Sequence, residues 1–177
     1  MKRIAFADIR VGVRPSRRSL GLLRAGPLVF PVALGRGSIK ADKHEGDGGT
    51  PQGEFRPLRI WWRADRLPRP RTLLPARRIG PADAWCEDPA DRRYNRCFRR
   101  SANEPGDRLW RDDFLYDLVI EIDHNTRPRI AGRGSAVFIH LAPPAYAPTA
   151  GCVALALRDL RILLGRIDAR TRISIHR

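Results

Sequence analysis

Two side chains of nucleophile and base character lie near one another late in the chain. In "GRGSAVFIHLAPPAYAPTAGCVALALRDL", residues 132–160, a run of β-formers delivers His140 to the end of an expected strand, and a proline-broken loop leads on to Cys152 behind a glycine. Cysteine attacks as the thiolate, and a neighbouring imidazole, helped by a nearby helix N-terminus, lowers the thiol pKa toward neutrality. Gly151 lets the backbone approach a reacting carbonyl closely, so amide N–H groups around Cys152 can hold an oxyanion. Pro143, Pro144 and Pro148 stiffen the return loop, as bringing thiol and imidazole together requires. In outline this is a thiol acyl-transfer site. A lone cysteine or histidine is more often structural; the pairing across a rigid loop is what favours chemistry here.

The elements that must carry this pair are mostly strands. The first third of the chain reads as β near residues 3–13, 19–24 and 28–34, then a glycine-rich loop, then a strand from Glu54 to Trp62. Further strands are expected at 115–123, at 136–140 and in the closing "TRISIHR". After the cysteine, Leu157, Leu160, Leu163, Leu164 and Ile167 share one face, which predicts an amphipathic helix of about three turns whose leucine stripe is core. The loop "KHEGDGGTPQGEF" has turn chemistry at nearly every position but no lysine after its glycines, so it is not a phosphate loop. Residues 63–113 form a long polar, proline-bearing insertion with aromatic anchors Trp85, Tyr94, Phe98 and Trp110. An insertion of this length either borders a site or is a surface excursion pinned by its aromatics.

Bulk properties bound the rest. At 177 residues the chain suits a single domain, 1–177, able to bury about two thirds of its unfolded surface without metal or disulfide staples. Apolar residues at 42% and charged residues at 30% are globular proportions, and no apolar run approaches a bilayer span, so no transmembrane segment is expected. The formal charge of +15 invites a nucleic-acid reading. Yet the arginines are scattered as pairs such as Arg17-Arg18, Arg77-Arg78 and Arg92-Arg93 rather than gathered on one face, so no specific nucleic-acid partner is expected.

Cys86, Cys97 and Cys152 have no metal-ligand spacing, and neither a metal nor an organic cofactor is expected. Cys86 and Cys97 could pair in an exported protein. Residues 16–35, "SRRSLGLLRAGPLVFPVALG", have the look of a twin-arginine signal, but Arg24 and Pro31 interrupt the apolar run, and a hairpin turning at "RAGP" is the better reading.

The segment "IHLAPPAYAPTAGCVAL" resembles the signature of the L,D-transpeptidase catalytic domain (YkuD-type): a histidine, a loop, a small hydroxyl residue, a variable residue, Gly-Cys and an apolar residue. "GDGGTPQG" is similar to the family's glycine loop, and "WCEDPADRRYNR", "LYDLVIEIDHN" and "GRGSAVFIH" resemble blocks of one of its branches, so the likeness runs from about residue 28 onward. It implies a mainly β fold of two packed mixed sheets, sandwich- or barrel-like, with few helices, one of them after the Gly-Cys step. It implies Cys152 as nucleophile, His140 as base, and Thr149 and Gly151 shaping the turn, with the Cys152 N–H in the oxyanion hole.

The implied reaction is acyl transfer on a peptidoglycan stem tetrapeptide: a thioester on Cys152, loss of D-alanine, then capture by an amine in a 3-3 cross-link, in protein anchoring or in D-amino acid exchange. Carbapenems are the expected acylating inhibitors. The resemblance places such work in the periplasm or cell envelope, while the chain shows no clear signal peptide and leaves a cytoplasmic placement open. Arg133 and Arg158 are candidate clamps for substrate carboxylates, and His124 a candidate pocket residue. Two positions depart from the family pattern: Ala150 and Ala154 stand where many members carry histidine and a polar arginine or asparagine. Two other functions stay open. One is a thiol hydrolase of the same fold on an envelope substrate, a carboxypeptidase, amidase or esterase. The other is a non-catalytic polyanion-binding module.

Overall fold

The computed structural model describes residues 5–177, so the part of the first expected strand that falls on residues 3 and 4 lies outside the described residues. The chain forms β1 (Asp8–Arg14), β2 (Arg17–Ala25), β3 (Leu28–Ala33), β4 (Ile39–Lys40), β5 (Thr50–Pro51), β6 (Gly53–Phe55) and β7 (Pro57–Trp62). Then come β8 (Ala76–Arg78), β9 (Asp83–Trp85), β10 (Cys97–Arg99), β11 (Asp107–Arg108), β12 (Leu118–Ile122) and β13 (Phe138–Leu141). A short 3-10 turn at Pro144–Tyr146, β14 (Val153–Leu155), α1 (Leu157–Leu164) and β15 (Arg172–His176) complete it. The twin-arginine-like stretch is the β2–β3 hairpin, turning at Gly26 with φ +54°.

Ten strands share one mixed sheet in the order β6-β15-β1-β2-β3-β14-β13-β12-β7-β8. β6 and β7 are separated by Arg56 alone, yet one is at an end of this order and the other next to the opposite end. The sheet must therefore curl until its ends meet. The β3–β14 seam rests on a single register pair, Ala33 with Ala154, so the two halves are joined thinly and face each other across one core. Side chains from both halves share it: Ile9, Val11 and Leu23 from one, Ile60, Ile120 and Ile139 from the other. The expected strand over 54–62 is thus two strands with different partners, because the chain crosses between the two ends of the sheet at Arg56.

The helix is shorter than its leucine periodicity predicts. Leu160, Leu163 and Leu164 are buried in the common core, but Gly165 ends α1 and Ile167, fully buried, packs from the following loop. Residues 63–113 are not bare loop. They build β8 at the sheet edge and a separate three-stranded sheet, β10-β9-β11, which lays Trp85 edge-on against Phe138 at 4.9 Å and against Trp61 at 6.3 Å. A second apolar cluster results, holding Trp61, Trp85, Leu109, Tyr116, Phe138 and Cys152. Trp85 and Tyr94 are the buried anchors of the insertion, whereas Phe98 and Trp110 are half-buried, Trp110 beneath the Arg63 guanidinium. Among the described residues no helix is long and apolar enough to cross a membrane.

Candidate active site

β13 and β14 run parallel side by side, with His140 opposite Ala154 in the register. Cys152, just before β14, is therefore level with Phe138, two positions before His140 on β13, so thiol and imidazole leave the same face of the sheet. Both line one cavity of about 400 Å³ together with Thr149 and Gly151. The Thr149 hydroxyl donates to the Cys152 carbonyl at 2.7 Å and accepts from the Gly151 N–H at 3.2 Å, tying the turn to itself. Gly151 has φ +147°, and a Cβ there would sit 2.8 Å from the Gly49 carbonyl oxygen, so the Gly-Cys step and the glycine loop touch backbone to backbone.

The glycine loop is organised by its own aspartate. Asp47 accepts from Lys43 Nζ at 2.8 Å, from the His44 N–H at 2.9 Å and from the Gly49 N–H at 2.7 Å. Burial alone would raise its pKa, but these donors outweigh it and hold the carboxylate well below the usual range. Lys43 is thereby fixed in the wall of the cavity.

The imidazole of His140 is 4% exposed, and its Nδ1–H donates to the Leu141 carbonyl at 2.9 Å, leaving Nε2 as the free nitrogen. The Tyr116 ring meets it edge-on at 5.2 Å. The thiol of Cys152 donates to the Ala136 carbonyl at 3.2 Å and accepts from the Phe138 N–H at 3.3 Å. Among the described residues no hydrogen bond joins Sγ to the imidazole.

Burial pushes the thiol up to about 12, against the Phe138 N–H, and pushes His140 down to about 4, against the Leu141 and Leu115 carbonyls. The resting pair is therefore neutral thiol and neutral imidazole. The expectation that imidazole and helix N-terminus lower the thiol pKa is corrected on both counts: burial dominates, and β14 stands between Cys152 and α1.

Because the ordinary pKa of His140, 6.5, falls to about 4 on folding, the unfolded chain binds the proton first as pH drops. The contribution of His140 to stability is expected to be complete above pH 6.5 and to decline by roughly 3 kcal/mol as pH falls toward 4. Urea unfolding of the wild type and His140→Gln across this range gives the difference curve, which should be level above pH 7 and slope below it. A difference that stays level to pH 4 would mean that His140 binds its proton equally well in the folded and the unfolded chain.

The remaining expected site residues fall elsewhere. His124 and Arg133 line a second cavity of about 280 Å³, which shares Lys43 with the first. His124 Nε2–H donates to the Arg133 carbonyl at 3.1 Å, and the Arg133 side chain pairs with Asp42. Arg158 is exposed on α1 and lines neither cavity, because a turn of helix beyond the Gly-Cys step points away from it. Cys86 and Cys97 are free thiols. Cys97 is in register with Trp85, one position off Cys86, so the two side chains leave the ladder on opposite faces. Ala154 is fully buried between Ala33 and His140, while Ala150 is exposed at the cavity rim.

Several wall residues carried no signal in the sequence. Glu87, Asp107 and Arg111 come from the insertion, Tyr116 from the turn before β12, and Arg36, Lys43 and Glu45 from the segment between β3 and β5. Asn95 acts at one remove. Its amide accepts from Trp85 Nε1 at 2.9 Å and the Ala136 N–H at 3.2 Å, and donates to the carbonyls of His124 and Asn125. Ala136, at φ +50°, is the residue whose carbonyl holds the thiol. Asn95 itself is at φ +54°, a backbone that asparagine tolerates.

The family model described as YkuD, the L,D-transpeptidase catalytic domain, matches residues 9–175. Among solved structures the chain is similar to Bd1075 of Bdellovibrio bacteriovorus, with TM-score 0.45 and 14% identity over 98% of this chain and 51% of that one. It is similar also to the helical cell shape determining protein Pgp2 from Campylobacter jejuni, with TM-score 0.42 and 13% identity over 99% of this chain and 51% of that one. The chain thus spans about half the length of each. No curated protein matches it.

Proposed function

Because this chain belongs to the YkuD family of L,D-transpeptidase catalytic domains, we propose that it is a cysteine acyltransferase acting on peptidoglycan stem peptides in the cell envelope. One observation carries this reading: Cys152 and His140 share a cavity, and the Leu141 carbonyl fixes the imidazole so that Nε2 is its basic nitrogen.

Both groups rest neutral, so the cycle begins with a proton passing from Sγ to Nε2 as the acyl donor excludes water and the thiol leaves the Ala136 carbonyl. The thiolate attacks the carbonyl of the third residue of the stem, and the oxyanion is held by backbone N–H groups at the Gly-Cys step. The imidazolium gives its proton to the departing D-alanine nitrogen, and a thioester remains on Cys152. An amine then attacks the thioester carbon, the C–S bond breaks, and the thiol is restored. Thiol, imidazole and backbone donors supply the groups that thioester formation uses.

The test is intact-protein mass spectrometry after incubation with a disaccharide-tetrapeptide. The expected result is a covalent adduct of the tripeptide acyl mass on Cys152, released D-alanine, and an amine-linked product. Tripeptide as the sole product would turn the reading toward hydrolysis, which the apolar Ala150 at the rim and the buried Ala154 favour in leaving those positions without a polar contact for the acceptor. No adduct and no D-alanine would overturn acyl transfer on this donor.

A further inference from the structure

Three carboxylates reach the cavity that holds Cys152: Glu45 from the glycine loop, Glu87 just after β9 and Asp107 in β11. The chain has 34 lysines and arginines against 19 acids, and many of its acids elsewhere are paired with them, as in Arg63–Asp65, Arg93–Asp91 and Arg111–Asp113. In the cavity two of the three are not. Among the described residues Glu45 and Glu87 make no ion pair, Glu45 accepting a hydrogen bond from the Tyr94 hydroxyl and Glu87 accepting none. Asp107 accepts from the Tyr116 hydroxyl at 2.8 Å and has Arg111 at 3.6 Å. Of the cations of the wall, Lys43 is bound by Asp47 and the His44 carbonyl and Arg111 by Asp113, while Arg36 lies against Gly48 and among the described residues makes no ion pair with the three carboxylates. Among the described residues no group of acids and histidines is arranged to hold a metal ion.

These carboxylates do not serve the first half of the reaction. After burial, the charges of Asp107 and Glu87 are what raise the Cys152 thiol further. They oppose thiolate formation and repel the carboxylates of an acyl donor. The second half has the opposite need. A primary amine arrives protonated, and its nitrogen has no lone pair until a proton leaves. An independent polar group points the same way: Ser135, 8% exposed and lining this cavity, has a hydroxyl with no hydrogen-bond partner.

We propose that Glu87, with Asp107 and Glu45, forms the subsite for the ammonium group of the acyl acceptor, and that the Glu87 carboxylate takes its proton. The proposal rests on the acyl-transfer reading above and names the acceptor class as a cationic primary amine. In the step, one N–H proton passes to a Glu87 carboxylate oxygen and the freed lone pair forms the C–N bond at the thioester carbon. The C–S electron pair returns to Sγ, which recovers a proton from the amide nitrogen through His140, and Glu87 releases its own proton to solvent. The products are one amide, one thiol and one proton. Partial withdrawal from bulk solvent, then the charges of Asp107 and Glu45, raise Glu87 to about 7, close to the pH at which a base is most useful.

The experiment uses the full chain, the disaccharide-tetrapeptide as acyl donor and glycinamide as a cationic amine without a carboxylate. Wild type, Glu87→Gln and Glu87→Asp are compared for the rate of acyl-enzyme formation and for the partition of the thioester between glycinamide adduct and free tripeptide, across pH 5.5–8.5 as about three units around neutrality. Glu87→Gln is expected to form the thioester as fast as the wild type or faster, since a charge opposing the thiolate is gone. Its glycinamide adduct should form about 100-fold more slowly near pH 7, rising with pH only as the free amine accumulates toward pH 8 and without the levelling above pH 7 that the wild type shows. Glu87→Asp should recover part of the loss and part of the levelling. Unchanged aminolysis in Glu87→Gln, or thioester formation slowed as much as aminolysis, would overturn the proposal, the latter by assigning the carboxylates to the donor. A wild type that forms no acyl-enzyme would overturn the acyl-transfer reading and this proposal with it, whereas a normal acyl-enzyme with unchanged partition would overturn this proposal alone.

Discussion

Replacing Cys152 with alanine is expected to lower D-alanine release by about 10⁴-fold or more and to abolish the covalent adduct, while the protein stays folded. No other thiol lines the cavity: its hydroxyls are Ser135, Thr149, which is spent on the Cys152 carbonyl, and the deeply buried Tyr116, whose phenol burial holds far from ionisation, and an un-ionised alcohol is a far weaker nucleophile than a thiolate. What alanine forfeits in stability is small. The Sγ makes two weak contacts, to the Ala136 carbonyl and the Phe138 N–H, and losing one buried sulfur costs about 1 kcal/mol. Single-turnover release of D-alanine, read beside a urea midpoint, separates the two effects. Activity in Cys152→Ala within tenfold of wild type would place the nucleophile elsewhere.

Gly35→Ala is expected to have the largest effect on the fold of any single methyl added to the site. A Cβ at Gly35 would lie 2.1 Å from the Gly48 carbonyl oxygen and 3.0 Å from both the Gly151 Cα and the Thr50 nitrogen. All three neighbours are backbone, so none can swing aside. Gly35 also donates its N–H to the Thr50 hydroxyl at 2.9 Å and bridges Thr149, so whatever moves carries the Gly-Cys turn with it. The expected cost is about 4 kcal/mol, or a fall in Tm of roughly 10 °C, with loss of acyl transfer even where the protein still folds. Gly46→Ala is the control, since Gly46 has φ +73° but open space around it. It should show only the strain of the left-handed backbone, about 1 kcal/mol. Equal melting temperatures for the two variants would mean that close approach is not what Gly35 provides.

The glycine loop shows how far a motif can be read. Its composition establishes a turn and excludes a phosphate cradle, and both follow from residue types alone. What the turn is for depends on contacts across the chain: Gly48 against Gly35, Gly49 against Gly151, and Asp47 gathering Lys43 and two amides. The insertion shows the complementary case. Its four aromatics read alike as anchors, of which Trp85 and Tyr94 are buried and Phe98 and Trp110 half-buried, and neither composition nor spacing says that Glu87, Asp107 and Arg111 end in the same cavity as a cysteine more than forty residues later.

His140 and Cys152 are legible because their signals are local: a strand, a stiff loop, a glycine before a thiol. The hairpin over 16–35 and the apolar face of the helix are legible for the same reason, since strand alternation and helical periodicity act over a few residues. Arg158, Arg133 and His124 were candidates by nearness in sequence, and the structure places them outside the cavity of Cys152, because direction out of a helix or loop depends on what it packs against. The protonation state of Cys152 and His140 is likewise tertiary. Thiol and imidazole in water would titrate near their ordinary values; burial under the insertion drives one up and the other down. The curl of the sheet is of the same kind, since β6 and β7 reach opposite ends of the strand order only when distant strands pair. Residue type and local spacing specify which groups can react and on what elements they ride. Which groups meet, and in what charge state, is set by long-range packing and by the exclusion of water.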